Sequence, residues 1–370
     1  MQGFEFRFPA VRGIQAGREF YVAMCPMRAV PKLFAVDESN QEAAERGQRI
    51  LNKGRIPRLA KFLAHNAEDY AVSAITACID GDVHFDPLGD DQDWELGRLV
   101  VSLSTNLLIT DGQHRWRAIC EALKLEPELE DETVPVVLYV DEGVERRQQM
   151  FADLNMHAVR PTRSLGILYD HRDPMAELTR ELAESVPLFK NRTEVEKTTI
   201  SNRSGKLFTL SAIYQATAAL LGRKEGEEIR SDQWEVAHRY WTVLAEVLPE
   251  WKAIVDGDMK PWELRAEYIH AHGVILQAFG RAGAALIKQH RNWEAILRRS
   301  ALSDIDWTRS NVSLWEGRAL SDGRVSKAKR NVALTTSLLK QSLSLPLTEK
   351  EEQLERELQE LHEKMRTEVA

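Results

Sequence analysis

Apolar and polar positions alternate at the start of the chain, with Phe4, Phe6 and Phe8 separated by Glu5 and Arg7. A period of two predicts a half-buried strand. Residues 20–24, 72–78, 99–104, 107–109 and 134–140 are further apolar runs of strand length, and the third and fourth flank Thr105-Asn106 as a tight hairpin. Elsewhere the period lengthens. Residues 41–63 read as helical with a break near Pro57, where a second helix begins. After 107–109 the chain turns at Asp111-Gly112, and Trp116, Ile119 and Leu123 then step i, i+3, i+7, one apolar face of a helix. Helices follow over 145–154 and 165–173, the latter capped by Thr162 or Ser164. Apolar positions then recur at helical spacing along 212–221, 234–248, 269–287 and 293–297. Leu347, Leu354, Leu358, Leu361 and Met365 step by seven, four, three and four, a coiled-coil-like seam suited to a partner helix or to docking on the chain's own body. Strands with interspersed helices, followed by helices alone, predict an α+β fold: an N-terminal mixed sheet and an all-α C-terminal region. The expected division is 1–185, 186–345 with basic segments, and a C-terminal helix over 346–370.

Composition narrows the class. A chain of 370 residues that is 43% hydrophobic can bury more than one core. No run approaches the roughly 18 apolar residues that a membrane helix needs, and the first nine residues lack a signal peptide's apolar core. Cys25, Cys78 and Cys120 lie too far apart for a CxxC metal pattern or a disulfide framework. A cytoplasmic protein with reduced thiols and no membrane partner is expected. Metal motifs are lacking too. The acidic stretch 80–95 does not have calcium-loop spacing, and His270 and His272, two apart, fall on different helix faces.

The net charge of −8 excludes an evenly basic surface, so any contact with DNA must come from local patches. Three stretches qualify. The first, 46–61, carries Arg49, Lys53, Arg55 and Arg58. The second, 190–206, places Arg192, Lys197, Arg203 and Lys206 among Ser, Thr and Asn residues, a composition suited to phosphate-backbone contacts. The third, 318–340, has six cations against the single Asp322, among them Lys327, Lys329 and Arg330. A solvated face or surface loop is the plain alternative for each. Ser204-Gly205-Lys206 is not a Walker loop, because no Gly lies five residues before Gly205.

The densest chemistry is Asp111-Gly-Gln-His-Arg115. A helix opening directly after a strand offers unpaired N–H groups and the positive end of its dipole, which attract anions. Asp111 is a good helix cap and Gly112 permits positive φ. Gln113, His114 and Arg115 fall in the first turn, where they add donors and a forked cation, with Arg117 close behind. Asn155, near Arg160 and Arg163, is a candidate to complete the site. The anion or nucleotide set is therefore Gly112, Gln113, His114, Arg115, Arg117 and Asn155; an ordinary turn explains the same residues without a ligand.

Asp111 to Arg115, followed by Trp-Arg-Ala, resembles the DGQHR signature of proteins related to the ParB/sulfiredoxin superfamily. Together with 8–14, 55–57, 151–155, 169–173 and 206–210, it makes the chain similar to the DndB family of DNA phosphorothioation systems, up to about residue 220. The resemblance implies a ParB/sulfiredoxin-like N-terminal domain, whose strand–turn–helix binds, and in some members hydrolyses, a nucleotide. It also implies a DNA-binding regulator that represses the modification genes. Double-stranded DNA and other proteins of the modification system would be its partners. A palindromic operator would favour a homo-oligomer. The alternative is a DNA-acting NTPase using a nucleoside triphosphate with Mg. Its catalytic residues would be Asp111, orienting metal or water, with Gln113, His114 and Arg115.

Overall fold

The computed structural model describes residues 5–35, 53–89, 95–102, 104–156, 160–223 and 227–369. The chain forms two compact units, Met1–Val159 and Arg160–Ala370. The first contains β1 (Glu5–Gln15), β2 (Arg18–Pro26), α1 (Val30–Leu33), β3 (Phe34–Ala35), α2 (Ile56–His65), β4 (Ile75–Asp80), β5 (Val83–Pro87), β6 (Leu96–Ser102), β7 (Asn106–Asp111), α3 (Gln113–Leu125), β8 (Thr133–Val140) and α4 (Val144–Met156).

Among the described residues the strands form one eight-stranded sheet in the order β3-β7-β4-β8-β2-β1-β6-β5. It is mixed: β4 runs parallel to β8, and β3 to β7, while the other neighbouring pairs are antiparallel. Five successive residues of β4, Ile75 to Ile79, are buried, because both faces of that strand are covered. Ile75, Ala77 and Ile79 join Trp116, Ile119 and Ala122 of α3 in one core, while Cys78 Sγ lies 4.0 Å from Met150 Sδ of α4. Pro57 sits in the first turn of α2, where a missing N–H costs nothing.

One expected pairing is overturned. β6 and β7, read from sequence as a hairpin about Thr105-Asn106, are not neighbours. β6 lies between β1 and β5, and β7 between β3 and β4. The acidic stretch 80–95 contains β5, which takes the place expected for β7 beside β6. Short apolar runs announce strands but not partners, since pairing is decided by which faces must be buried together.

The second unit contains α5 (Arg163–Tyr169), α6 (Pro174–Ser185), β9 (Thr193–Glu194), β10 (Phe208–Thr209), α7 (Leu210–Leu221), α8 (Ser231–Val247), α9 (Pro249–Asp256), α10 (Pro261–Glu267), α11 (Gly273–Gln289), α12 (Trp293–Arg298), α13 (Val312–Trp315), β11 (Leu320–Ser321), β12 (Arg324–Val325), α14 (Lys329–Ser342) and α15 (Glu349–Val369). Apart from two small strand pairs it is helical. Its core collects Trp241, Trp251, Trp307 and Trp315, all fully buried. α7 and α11 approach so closely that a Cβ at Gly280 would stand 2.1 Å from the carbonyl oxygen of Ala216. Residues 160–185, grouped from sequence with the N-terminal domain, pack here: Met175, Leu178 and Leu182 of α6 belong to the same buried cluster as Trp241. The helix expected over 269–287 is interrupted at its start, since α11 begins after His272, which is its extended N-cap.

The C-terminal helix meets its partner inside its own unit. Leu358 is buried and only 1% exposed, with Gly317 against it. Leu347 and Leu354 are half-buried, and Leu361 alone among these four seam leucines is exposed. Arg318 is paired twice with Glu355, at 2.6 Å for each nitrogen, and Lys340 with Glu351 at 2.5 Å. Much of the cationic charge expected over 318–340 is thus neutralised by α15.

Candidate functional site

In the first unit the signature stretch folds as a strand, a one-residue turn and a helix. Gly112 is the N-cap of α3 with φ 101°, a left-handed conformation that favours glycine. A Cβ there would come within 3.0 Å of Arg115 Nη2 and 3.3 Å of the Ile75 Cα. Pairing between β4 and β7 slips at Thr76/Ala77, opposite Asp111, so the strand end carries an irregularity that turns the chain into α3.

Asp111 does not cap the helix. Its Oδ2 accepts from Arg115 Nη2 at 2.7 Å, and the same nitrogen donates to the carbonyl of Ala74 at 2.8 Å. The Arg115 guanidinium therefore folds back over Gly112 and ties the start of α3 to the chain entering β4. The expected free cation is instead a staple. Among the described residues, two donors nevertheless lack partners at this point: Gln113 Nε2, on a side chain only 5% exposed, and Arg115 Nε. No side chain caps α3, so its first-turn N–H groups keep their electropositive character.

His114 is half-buried, and its imidazole is held below its usual range by burial and by the charges of Arg55 and Arg115, against the opposite pull of Asp111. The structure thus brings Arg55 to the signature, a neighbour that sequence spacing did not suggest. Arg117 stays on the helix surface with Glu121 at 3.5 Å. Asn155 Nδ2 donates to the Phe151 carbonyl within its own helix, at 2.9 Å.

The proposed DNA contacts divide by fate. Arg49 lies outside the described residues, as does the side chain of Lys53, while Arg55 and Arg58 are exposed at the start of α2. Arg192 is structural: its guanidinium donates to the carbonyls of Pro187 and Ile254, each at 2.9 Å. Lys206 Nζ reaches the Asn191 carbonyl at 3.2 Å. Arg330 is 3.6 Å from Glu357 of α15. Lys197, Arg203, Lys327 and Lys329 remain exposed.

Arg203 and Lys327 line a cavity of about 560 Å³ in the second unit, which also receives Arg265, Arg309, His272 and Trp262. Among the described residues no carboxylate lines it. Sequence reasoning missed Arg265 and Arg309, each a single cation in an otherwise ordinary stretch; residues 203, 265, 309 and 327 share no spacing that could have joined them.

The two thiols within the strands of the sheet, Cys25 of β2 and Cys78 of β4, are unreactive. Burial pushes the Cys25 thiol up to about 12 and the Cys78 thiol up to about 11, so neither is a thiolate near neutrality.

No curated protein and no solved structure matches the chain. A family match covers residues 8–346, nearly the whole chain and both units just described. The match spans the signature turn, the mixed sheet and most of the helical unit, and the chain is a member of the DndB family, described as DNA-sulfur modification-associated.

Proposed function

We propose that the protein is a DNA-binding regulator of DNA sulfur modification, acting as a repressor of the modification genes. The observation that carries this reading is membership of a DNA-sulfur modification-associated family over nearly the whole chain. The charge distribution supports it. In a chain of net charge −8, Lys197, Arg203 and Lys329 stay exposed in one unit and Arg55 and Arg58 in the other. Such cations suit phosphate-backbone contacts, which supply affinity without sequence information. Base reading, other proteins of the modification system and a homo-oligomeric state matched to a palindromic site belong to the same proposal.

The test is binding to a duplex from the control region of the modification genes, measured by fluorescence anisotropy over a salt series. Affinity is expected to fall with salt at a log–log slope of about −0.9 per phosphate neutralised. The variant Lys197→Glu/Arg203→Glu/Lys329→Glu should weaken binding and flatten that slope. Absence of binding in low salt, or equal affinity for an unrelated duplex together with unchanged transcription, contradicts the repressor.

A second reading rests on Gln113 Nε2, which has no partner among the described residues, at the uncapped start of α3, where the charge of Arg55 acts on the adjacent His114. These donors suit the phosphates of a nucleoside triphosphate bound with Mg, which supports a DNA-linked NTPase. Phosphate release measured with and without duplex DNA decides it, and Gln113→Ala should abolish any turnover found.

A further inference from the structure

The cavity in the second unit is built in a way that backbone contacts to a duplex do not require. Arg203 comes from the loop before β10, Arg309 from the segment before α13 and Lys327 from the link between β12 and α14. Among the described residues no carboxylate pairs with any of the three. Like charges brought together without counter-charge repel one another, so the arrangement is at its most stable with an anion among them.

The loop carrying Arg203 is fixed from beneath. Arg265 donates to the carbonyls of Ser201 at 2.8 Å, Asn202 at 3.2 Å and Ser204 at 3.1 Å, and also to that of Lys206. Arg265 is thereby a positioning residue, its own hydrogen bonds already committed to backbone. The 17-residue α11 opens at the cavity: His272 is its N-cap, Gly273 lines the wall and no side chain caps the helix. His272 Nε2 is buried there without a partner. Burial, with Arg309, Lys327 and Arg265 around it, holds its imidazole down to about 4.

Two features set the size and shape of the occupant. A volume of about 560 Å³ is that of a small-molecule site and too small for a duplex. At the cavity wall stands Trp262, 44% exposed despite its size, whose indole face is of the kind on which flat rings stack.

We propose that this cavity binds a nucleoside phosphate, its phosphoryl oxygens held by Arg203, Arg309, Lys327 and the N-terminus of α11, and its base against Trp262. This site is separate from the signature turn of the first unit and makes no use of it. It shares Arg203 and Lys327 with the candidate DNA contacts but differs in the ligand.

Calorimetric titration of the full chain, in the absence of DNA, with the 5′-monophosphates of adenosine, guanosine, cytidine and uridine, and with adenosine and inorganic phosphate, tests it. At least one nucleotide should saturate a single site at millimolar or lower concentration, while adenosine should not bind. Arg309→Gln and Lys327→Gln should each weaken that binding about tenfold, the loss expected for one charge-assisted hydrogen bond. Trp262→Ala should weaken the nucleotide and leave inorganic phosphate unchanged. Thermal melting of each variant separates lost binding from lost folding, and Arg309→Lys should restore part of the affinity. No saturable nucleotide binding overturns the proposal, as does uptake of inorganic phosphate alone, which would make this an oxyanion site without a base. Loss of DNA binding in Arg309→Gln without any nucleotide uptake would assign the cations to a DNA strand instead. A failure of the DNA reading leaves the nucleotide titrations untouched.

Discussion

Gly112 and Arg115 act as one device. The left-handed glycine lets the chain leave β7 and start α3 within one residue, and its missing Cβ makes room for the guanidinium that returns to Asp111 and Ala74. Gly112→Ala adds both a strained φ and a contact with Arg115 and Ile75, and should destabilise the protein by about 1–3 kcal/mol in urea unfolding. An Arg115→Ala variant loses a partly buried ion pair and a hydrogen bond to backbone, so its melting temperature should drop as well; unchanged melting would return Arg115 to the role of a free anion ligand. His272 carries a pH dependence of opposite origin. Its folded value of about 4 lies below the unfolded imidazole value, so between them the unfolded state binds more protons. Stability is then complete above about pH 6.5 and declines as pH falls through that window, by at most about 1.4 kcal/mol per pH unit. Besides Arg309, Lys327 and Arg265, His270 faces the ring; His272→Gln should flatten the stability profile between pH 6.5 and 4, read from urea midpoints.

α14 and α15 show how an element's surroundings choose between roles that its sequence leaves open. The leucine seam of α15 is legible from spacing, and so is the basic character of 318–340, but each was the missing half of the other. Leu358 goes into the unit's own core, and the acidic residues beside it neutralise Arg318 and Lys340. The Arg318–Glu355 pair is about nine-tenths buried on both sides, so removing one partner leaves a charge without compensation. Glu355→Gln should therefore cost about 3–5 kcal/mol, while Arg318→Met/Glu355→Leu together should cost less than either alone. Deleting 347–370 should lower the thermal midpoint and leave the sedimentation mass unchanged; a change of mass with unchanged melting would restore the associating helix. The hairpin across Thr105-Asn106 failed for a related reason. Two adjacent apolar runs satisfy a hairpin's local pattern, yet β5, hidden in an acidic stretch, pairs with β6 in place of β7.

For the molecule entire, the order of strands then helices, the helical C-terminal region and the strand–turn–helix at Asp111 were readable from the chain, because periodicity and turn chemistry act over a few residues. The same local rules placed α4, α7 and α8 close to their observed bounds and offered Thr162 or Ser164 as the cap of α5; it is Thr162 whose hydroxyl accepts from Leu165 N at 3.1 Å. Three things could not be read that way. The strand order of the mixed sheet depends on contacts distant in sequence. The segment 160–185 was assigned to the second unit by the burial of Met175, Leu178 and Leu182 there, not by any break in its own pattern. Finally, whether a cation is a staple or a ligand depends on what stands opposite it. Arg115 and Arg192 found carbonyls and a carboxylate, whereas Arg203, Arg309 and Lys327, more than 100 residues apart at the extremes, found one another around an open cavity. Spacing along a chain fixes which residues share an element's face; only burial of those faces against each other brings separate elements, and their charges, to one place.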